Sequence, residues 1–463
     1  MKYAVFAIAA LGVPPLAFLL YLNRRWMRYV LWGMVAALCL YQETAINFWS
    51  FEEYRGSARG MEISVVYLLA VALLLVATLR RTRPRLVPST GARLYLLYFL
   101  LCLPSWGTAA ETLFCWMETW KMAMMYLTYL AVLAYLETTD DLKSVLRAFA
   151  AFAVWNFLLV VRAHFGGVYQ PHGVFPHQNS MVMALHLVGS VFFAFYIAKG
   201  VRGGRLEAVA FVAAAAAAVR SYSRAAIALM PLSYALVLVL LWWKGMPRGG
   251  GLRLVRRLLP VALAGAIGLS LMLPRIIERF QTAPEASKNT RVELANCAWE
   301  MIKDEPWRGI GINNWGIKIN PPYDYAERAG RHPNRDADFR DGIVETVYLL
   351  VGAECGLPAL VCMILWFLSY LVLAVRLVWR LAGTWYACLA AGLVGGLTAS
   401  YLQSCLEWVL RQQVNLLILM FFFAILDYLN AHAARLADAA RAGRPRRTTD
   451  EESAPPSGAL PRP

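Results

Sequence analysis

Long apolar runs are the feature that most constrains how this chain folds. They recur along nearly all of the sequence, and each is about 17 to 25 residues long, enough to cross a hydrocarbon core as a helix. Lipid offers no hydrogen-bond partners, so every backbone amide in such a run must bond within the protein. The runs do not alternate polar and apolar residues, which argues against a β-barrel. The sequence therefore predicts an all-α, polytopic transmembrane helical bundle of about 12–13 spans.

The composition agrees with a membrane protein. Charged residues make up 16% of the chain, whereas soluble domains carry about a quarter. The first run, Tyr3 to Leu22, is too long for a signal peptide and lacks a small-residue cleavage site, so we expect a retained helix. The predicted bundle occupies residues 1–430, with spans near 3–22, 28–46, 62–79, 92–106, 119–136, 143–163, 180–199, 206–221, 224–243, 255–273, 344–374, 384–404 and 413–430.

Basic residues predict the orientation of the bundle. Cytoplasmic connections are rich in Lys and Arg, and here basic and Arg-poor connections alternate along the chain. The alternation places the N-terminus and the polar connection 274–343 outside, and the charged, proline-rich tail 431–463, which we expect to be disordered, in the cytoplasm. The net charge of +16 is therefore explained by basic connections that face an anionic membrane surface, and it does not indicate a nucleic-acid partner. The basic connections contain Arg24 and Arg25, Arg80 and Arg81, Lys199 and Arg202, Lys244 and Arg248, and Arg376 and Arg380.

Cysteine and histidine residues give no indication of a disulfide framework or a metal site. The eight cysteines include no C-x-x-C pair, so we expect small buried thiols, above all for those inside apolar runs. These are Cys39, Cys102, Cys362 and Cys388. Three histidines share one external connection, but their spacing fits no standard ligand pattern. They are His164, His172 and His177. The sequence therefore predicts no metal and no other cofactor.

The external connection 274–343 is too long for a simple link and should have structure of its own. Thr290 and Glu293 form a T-x-x-E capping box, which predicts that a helix begins there with Arg291 at its N-terminal end. An apolar stripe at helical spacing follows, and Pro306 ends the pattern. We therefore expect a short amphipathic helix over the external mouth of the bundle. The predicted stripe consists of Val292, Ala295, Trp299 and Ile302.

Among the arginines predicted on the external side, five lie at the ends of predicted spans or at the start of the predicted loop helix, where few basic residues are expected. A basic side chain beside a membrane span is expensive and therefore a functional candidate. Guanidinium groups suit phosphate because their parallel N–H donors match two phosphate oxygens, so a phosphate-bearing lipid is a sensible ligand. The structural alternative is snorkelling or pairing, for example of Arg411 with Glu407 at i,i+4. The five are Arg162, Arg220, Arg224, Arg291 and Arg411.

Four stretches resemble the O-antigen ligase/polymerase superfamily of membrane glycosyltransferases. Gly173 to Asn179 (GVFPHQN) is similar to the family segment G-T-F-x-x-x-N, and Ser221 to Ala226 (SYSRAA) is similar to its S-R-[GA] turn. The stretch 290–311 (TRVELANCAWEMIKDEPWRGIG) closely resembles the helix of the family's large loop. The stretch 345–357 (ETVYLLVGAECGL) resembles H-N-x-Y-L-x-x-x-x-E-x-G-[LI]. Together they favour this family over other membrane proteins.

The resemblance implies a GT-C-like bundle in the bacterial inner membrane with an active site on the periplasmic side. The family transfers a glycan from undecaprenyl pyrophosphate to an acceptor sugar without a nucleotide sugar or a metal. The implied partners are this lipid-linked glycan donor, a lipid A–core or glycan acceptor, and membrane lipids. By position, Arg224 and Arg291 would bind the donor pyrophosphate and stabilise the charge that develops on it as it leaves. Arg220 and Arg411 are further candidates for the donor site.

One departure from the family concerns the acceptor side of the reaction. Glu345 occupies the position of a family histidine that is expected to help deprotonate the acceptor, and Thr346 occupies the position of its asparagine. A glutamate can serve as base where its surroundings raise its pKa, and His332 is the other candidate. The alternative for His332 is a solvated loop histidine with no part in the reaction. The alternatives for Glu345 are an ion pair with a loop arginine such as Arg340, or a glutamate at the start of a helix that the helix dipole stabilises. A second difference is His172, where the family often has arginine.

The resemblance leaves several functions open. An O-antigen ligase is the expectation because the loop-helix segment matches so well. The alternatives are an O-antigen or exopolysaccharide polymerase of the same superfamily, a flippase for a lipid-linked glycan, and a non-catalytic assembly scaffold. A transporter should have related halves and charged residues along a central path. The sequence has no such repeat, and its unusual charges cluster at one face.

Overall fold

The structure, a computed structural model, describes residues 2–51, 53–82, 84–245, 285–331 and 342–442, with positions 256–259, 262–263, 270, 273–274 and 277. His332 and most of the predicted span 255–273 lie outside these residues. The α-helices are α1 (Lys2–Leu11), α2 (Val13–Leu22), α3 (Met27–Cys39), α4 (Tyr41–Thr44), α5 (Val65–Leu79), α6 (Thr90–Cys102), α7 (Thr112–Tyr135), α8 (Thr139–Phe165), α9 (Gln178–Gly203), α10 (Arg205–Arg220), α11 (Arg224–Leu240), α12 (Glu285–Asp304), α13 (Trp315–Lys318), α14 (Tyr325–Arg328), α15 (Val347–Arg380), α16 (Trp385–Gln403), α17 (Gln413–Ala431) and α18 (Ala433–Ala442).

The all-α polytopic class is confirmed. Within the described residues, seven helices are long and apolar enough to cross a membrane. The other predicted spans there coincide with helices that are shorter or, in α7, that carry Glu118 and Lys121. The total number of spans stays a prediction. The strands of the described residues form one small antiparallel pair, β1 (Ile46–Phe48) with β2 (Met61–Ile63). The seven helical stretches are Tyr3–Leu22, Thr139–Phe165, Gln178–Lys199, Arg224–Trp243, Val347–Arg380, Trp385–Gln403 and Gln413–Ala431.

Three helices, α9, α16 and α17, form the centre of the bundle. Their most apolar windows are 94%, 83% and 89% buried inside the protein, against 17% for the first run. A helix that is apolar on every side is stable only when other helices surround it or lipid does. Small residues let α16 lie directly on α9, since a Cβ at Gly392 or Gly396 would come within 2.8 Å of α9 backbone atoms. This close approach is typical of small-x-x-x-small helix pairs in membranes.

Contacts between connections identify the two ends of the bundle. Arg24 donates a hydrogen bond to Asp141 at the start of α8 (2.7 Å), and Arg80 donates to a backbone carbonyl at the end of α2 (3.2 Å). At the start of α8, Thr139 also hydrogen-bonds Tyr386 at the start of α16 (2.9 Å). These predicted cytoplasmic connections therefore share one end, the basic end, and α16 runs from there to the opposite end, the far end. Which end faces the cytoplasm stays a prediction.

The helix expected in the external connection is present, but two details of the prediction were wrong. It begins at Glu285, so Thr290 and Glu293 lie inside it and do not form its first turn. Most of the predicted stripe does not pack inward, because Val292 and Trp299 are 52% and 53% exposed and only its last member, Ile302, is buried. An equally regular set on the adjoining face packs against α15 instead and forms a small core with α13 and α14. The buried set is Leu294, Cys297, Ala298, Met301 and Ile302.

Two of the resembling stretches join where α15 is broken. Gly356 has φ 82° and ψ 169°, which interrupts the helix. The backbone groups released by such a break need partners. Here the Ile310 and Gly311 amides donate to the carbonyls of Ala353 (2.9 Å) and Glu354 (3.1 Å). The break in α15 thus holds the segment that follows α12, and it fixes this part of the external connection on the bundle.

The tail was predicted to be disordered from residue 431, and this was wrong for its first part. Helix α18 covers Ala433–Ala442, and Ala433 and Leu436 are each 3% exposed. Its alanine and leucine spacing gives one apolar face that packs against the neighbouring helices. Residues 443–463 lie outside the described chain. The cysteines are free, and six are buried, in line with the expected small buried thiols.

Candidate active site

Parts of all four resembling stretches meet in one polar cluster at the far end of the bundle. Asn179 stands in the first turn of α9, and Arg224 is the first residue of α11. Arg291 lies in α12, and Glu345 precedes α15 by two residues. The fifth member is Glu407, in the connection between α16 and α17. Residues far apart in the chain therefore converge on a site a few side chains wide.

A tight turn places Arg224. Helix α10 ends at Arg220 and α11 begins at Arg224, with Tyr222 between them at φ 52°. The Ser221 hydroxyl stabilises the turn by donating to the Ala218 carbonyl (2.6 Å) and accepting from the Ser223 amide (3.3 Å). These serines explain why a short S-x-S-R sequence can join two antiparallel helices here.

Asn179 ties this turn to Glu407. Its side-chain oxygen accepts a hydrogen bond from the Ser223 hydroxyl (2.8 Å), and its side-chain nitrogen donates to Glu407 Oε1. Gln403, at the end of α16, donates to the Asn179 carbonyl (2.9 Å). The asparagine is therefore held by its backbone and uses both ends of its amide to position two other site residues.

Arg291 is shared between two carboxylates. Its Nε forms an ion pair with Glu345 Oε2, and its Nη2 lies 3.6 Å from Glu407 Oε1. Because Arg291 lies in the second turn of α12, it does not mark a helix start as predicted, and the extra anion affinity of a helix N-terminus does not apply to it. Glu345 has a loop arginine as partner, as one alternative expected. That partner is Arg291, whereas Arg340 lies outside the described residues.

Glu407 has the most perturbed environment in the cluster. Its side chain is 12% exposed. Burial and, to a smaller extent, the negative charge of Glu345 together raise the pKa of Glu407 to about 7, although Arg291, Arg224 and the hydrogen bond from Asn179 act in the opposite direction. Desolvation of a carboxylate disfavours its charged form, which explains the direction of this change. Glu407 is therefore half-protonated near neutral pH.

The structure does not bring Arg411 into this cluster. Arg411 is buried and pairs with Glu354 (2.7 Å) and Glu118 (2.8 Å). Lys121 pairs with Glu118 (2.7 Å) and donates to the Arg411 carbonyl (3.1 Å). Two cations and two anions thus balance each other inside the protein. The expected alternative pair of Arg411 with Glu407 does not form either, because the guanidinium points into this buried network.

Arg220 and Arg162 are also separate from the cluster. Arg220 contacts Nδ1 of His164 and the Tyr169 carbonyl (3.3 Å), and it lies over the ring of Tyr222 at 4.9 Å. These contacts fasten the connection after α8 to the turn, which favours the structural alternative for Arg220. Arg162 is exposed near the end of α8. Among the described residues, no three His, Cys, Asp or Glu side chains are grouped so that they could hold a metal ion.

Glu407 is the site residue that sequence reasoning missed. It entered only as an i,i+4 partner for Arg411. One signal was available, because Glu407 is an acidic residue close to the edge of a predicted span, where a carboxylate is costly and is therefore a functional candidate. Its neighbours in the site lie between 62 and more than 200 positions away in the chain, so no local pattern connects it with them.

Residues 209–364 match the family model described as O-antigen ligase. The matched region includes Arg224, Arg291 and Glu345, while Asn179 and Glu407 lie outside it. A search of the curated proteins gives no match. The family's activity is glycosyl transfer of the ligase or polymerase type, and the fold is the expected polytopic helical bundle. Over residues 209–364 this chain is therefore similar to the O-antigen ligase family.

Proposed function

We propose that this protein transfers a glycan from undecaprenyl pyrophosphate to an acceptor sugar, as an O-antigen ligase with lipid A–core as acceptor. The observation that carries the proposal is that two arginines from separate elements are placed at Glu407. Arg291 lies 3.6 Å from Glu407 Oε1, and Arg224 follows Ser223, whose hydroxyl bonds the same Asn179 side chain that binds Glu407. Two guanidinium groups fixed by different helices can grip a pyrophosphate from two sides. A polymerase would use the same donor site with a second lipid-linked glycan as acceptor.

The two arginines differ in how available they are. Within the described chain, Arg224 makes no hydrogen bond or ion pair of 4 Å or less through its guanidinium. Arg291 is engaged with Glu345 and Glu407. A pyrophosphate entering the site would bind Arg224 directly and would compete with the carboxylates for Arg291. Among the described residues, only one of the two guanidinium groups is therefore paired with carboxylates before the donor arrives.

The transfer needs charge stabilisation on the donor and proton removal on the acceptor. The acceptor oxygen forms a bond to C1 of the donor glycan, and the bond from C1 to the pyrophosphate oxygen breaks. The electron pair leaves with the undecaprenyl pyrophosphate, whose added negative charge Arg224 and Arg291 would stabilise. The acceptor proton passes to a protein base. We include in the proposal that neither a nucleotide sugar nor a metal takes part.

The location of the site fits an enzyme that works outside the cytoplasm. The cluster lies at the far end of the bundle, opposite Arg24 and Arg80. By the positive-inside rule the basic end faces the cytoplasm. The proposed site therefore faces the periplasm of a bacterial inner membrane, where lipid-linked glycans and lipid A–core would both be accessible.

The test is a transfer assay with purified full-length protein in lipid nanodiscs. A lipid-linked glycan is supplied with either lipid A–core or a second lipid-linked glycan, with EDTA and without nucleotide. Glycan on lipid A–core together with released undecaprenyl pyrophosphate supports the ligase, and glycan chain growth supports the polymerase. Movement of the donor across a vesicle bilayer without a new glycosidic bond would instead identify a flippase. If neither a transfer product nor movement of the donor is detected, the remaining alternative is a non-catalytic assembly scaffold.

A further inference from the structure

We propose that Glu407, and not Glu345, is the general base that accepts the proton of the acceptor hydroxyl. The inference rests on the proposed glycosyl transfer. It assigns proton removal from the acceptor to Glu407, in the connection between α16 and α17, whereas the family resemblance assigned this step to position 345. Glu345 would then act as a positioning residue that orients Arg291 and adds its negative charge to the site.

The geometry distinguishes the two carboxylates. Glu345 is one-third exposed, and its Oε2 is committed to Nε of Arg291. Glu407 is more deeply buried, and Arg291 reaches it only at 3.6 Å, so this ion pair is the looser one. The Asn179 amide fixes the Oε1 of Glu407, which leaves Oε2 without a hydrogen-bond partner among the described residues. A base needs a fixed orientation and a free oxygen, and Glu407 has both.

The charges around Glu407 suit a base that works near neutral pH. Four elements meet it: α9 contributes the uncharged Asn179, α11 contributes Arg224, α12 contributes Arg291, and the residues before α15 contribute Glu345. Burial and Glu345 raise the pKa of Glu407, and the arginines lower it. The balance leaves a carboxylate that is largely ionised just above neutral pH and yet basic enough to take a proton.

The proton balance of the step is simple. As the acceptor oxygen attacks C1, its proton moves to Glu407, and the electron pair of the broken bond stays on the pyrophosphate oxygen. The bound pyrophosphate also neutralises the positive charges of Arg224 and Arg291. These arginines then lower the pKa of Glu407 less, so Glu407 becomes a stronger base. After the product leaves, Glu407 returns its proton to solvent. No oxidant, reductant or further reactant is required.

The experiment measures single-turnover transfer against pH for the wild type, Glu407→Gln and Glu345→Gln in nanodiscs. We expect wild-type transfer to fall as the pH drops below about 7, because Glu407 becomes protonated. Glu407→Gln should lose on the order of a hundredfold or more in rate while it retains donor binding within a few-fold. Glu345→Gln should keep transfer within about tenfold, and its acid limb should move to lower pH, because removal of a like charge lowers the pKa of Glu407.

The matched control is Glu137→Gln, which removes a carboxylate that pairs with Arg24 at the basic end and should leave the profile unchanged. Near-normal transfer by Glu407→Gln would overturn the proposal, and so would an equal loss of donor binding and transfer. If Glu407→Gln is unstable, the pH dependence of transfer by Glu345→Gln decides the question. A Glu345→Gln variant whose acid limb stays at the wild-type pH, or that no longer transfers at all, would overturn the proposal. Failure of the wild type with every acceptor would count against the proposed function itself, since the comparison of variants requires an active enzyme.

Discussion

The arginines at the far end of the bundle carry the same charge but differ in whether they can bind a ligand. The difference comes from the protein groups that each guanidinium contacts. Arg411 is enclosed by Glu118 and Glu354, and Arg220 is occupied by His164 and Tyr169. Arg224 makes no such contact with the residues that the structure describes. The sequence could identify all of them as unusual, because each is a basic residue near a membrane edge. The family resemblance favoured Arg224 and Arg291, but the sequence could not show what occupies Arg220 and Arg411, because their partners come from distant parts of the chain.

Replacing either donor-site arginine with lysine should reduce transfer. Arg224→Lys and Arg291→Lys keep the charge but lose the two parallel donors, so we expect a loss on the order of tenfold to a hundredfold in transfer efficiency. The double variant should lose much less than the product of the two single effects, because the residues act on one ligand. Arg308→Lys, an exposed residue that pairs with Glu305, is the control. Full activity in both single variants at normal expression would remove these arginines from the site.

Replacing Arg411 should damage stability and not donor recognition. Arg411→Gln leaves Glu118 and Glu354 buried with too little positive charge, and breaking such a network costs about 3–5 kcal/mol. We expect a lower unfolding temperature in detergent and poor expression. Donor affinity per folded molecule should stay near that of the wild type. Normal stability combined with lost donor binding would instead return Arg411 to the donor site.

At the scale of elements, the existence of α12 was predictable and its orientation was not. The stretch 290–302 contains two apolar sets at helical spacing, one with Val292 and Trp299 and one with Leu294 and Met301. Periodicity predicts a helix from either set. Only the fit of α12 against α15 decides which set is buried, and the smaller side chains Cys297 and Ala298 lie on the packed face.

The break in α15 can be tested through Gly356. A Cβ there would lie 2.5 Å from the Trp307 carbonyl oxygen, and the positive φ strains any other residue. Gly356→Ala should destabilise the protein by about 1–3 kcal/mol and should expose the segment 306–311 to proteolysis. Gly107→Ala is the matched control, because a Cβ at Gly107 meets nothing within 4 Å. Equal protease resistance of the two variants would contradict the role of this break in holding the external connection.

At the scale of the whole molecule, apolar runs and basic connections predicted the class and the placement of the helices. Such features depend on length and charge, and a chain displays both directly. The site depends on which helix ends meet, and this follows from packing around α9, α16 and α17. The close approach at Gly392 and Gly396 sets the distance from Asn179 to Gln403. Nothing in the spacing of those residues along the chain gives that distance.

The orientation of the bundle can be measured with a native cysteine. Cys405 is exposed at the far end, two residues before Glu407, whereas most of the other cysteines are buried. If the far end is periplasmic, a membrane-impermeant thiol reagent should label Cys405 in intact cells. Labelling should quicken as the pH rises, because partial burial raises the pKa of the Cys405 thiol. Cys405→Ser should remove the signal. Labelling that requires permeabilised cells would reverse the predicted topology.

The sharing of Arg291 by two carboxylates has a consequence for how the donor and protons bind. With Arg224 and Arg291 opposite Glu345 and Glu407, the empty site carries almost no net charge above neutral pH. An incoming pyrophosphate upsets this balance, and the group that can restore it is Glu407, by taking up a proton. Donor affinity should therefore rise as the pH falls, while the ionised base required for transfer becomes scarcer. Calorimetry of donor binding near pH 7 in buffers of different ionisation enthalpy should register this uptake as a buffer-dependent heat. The working pH of such a site is a compromise between holding the donor and reacting with it.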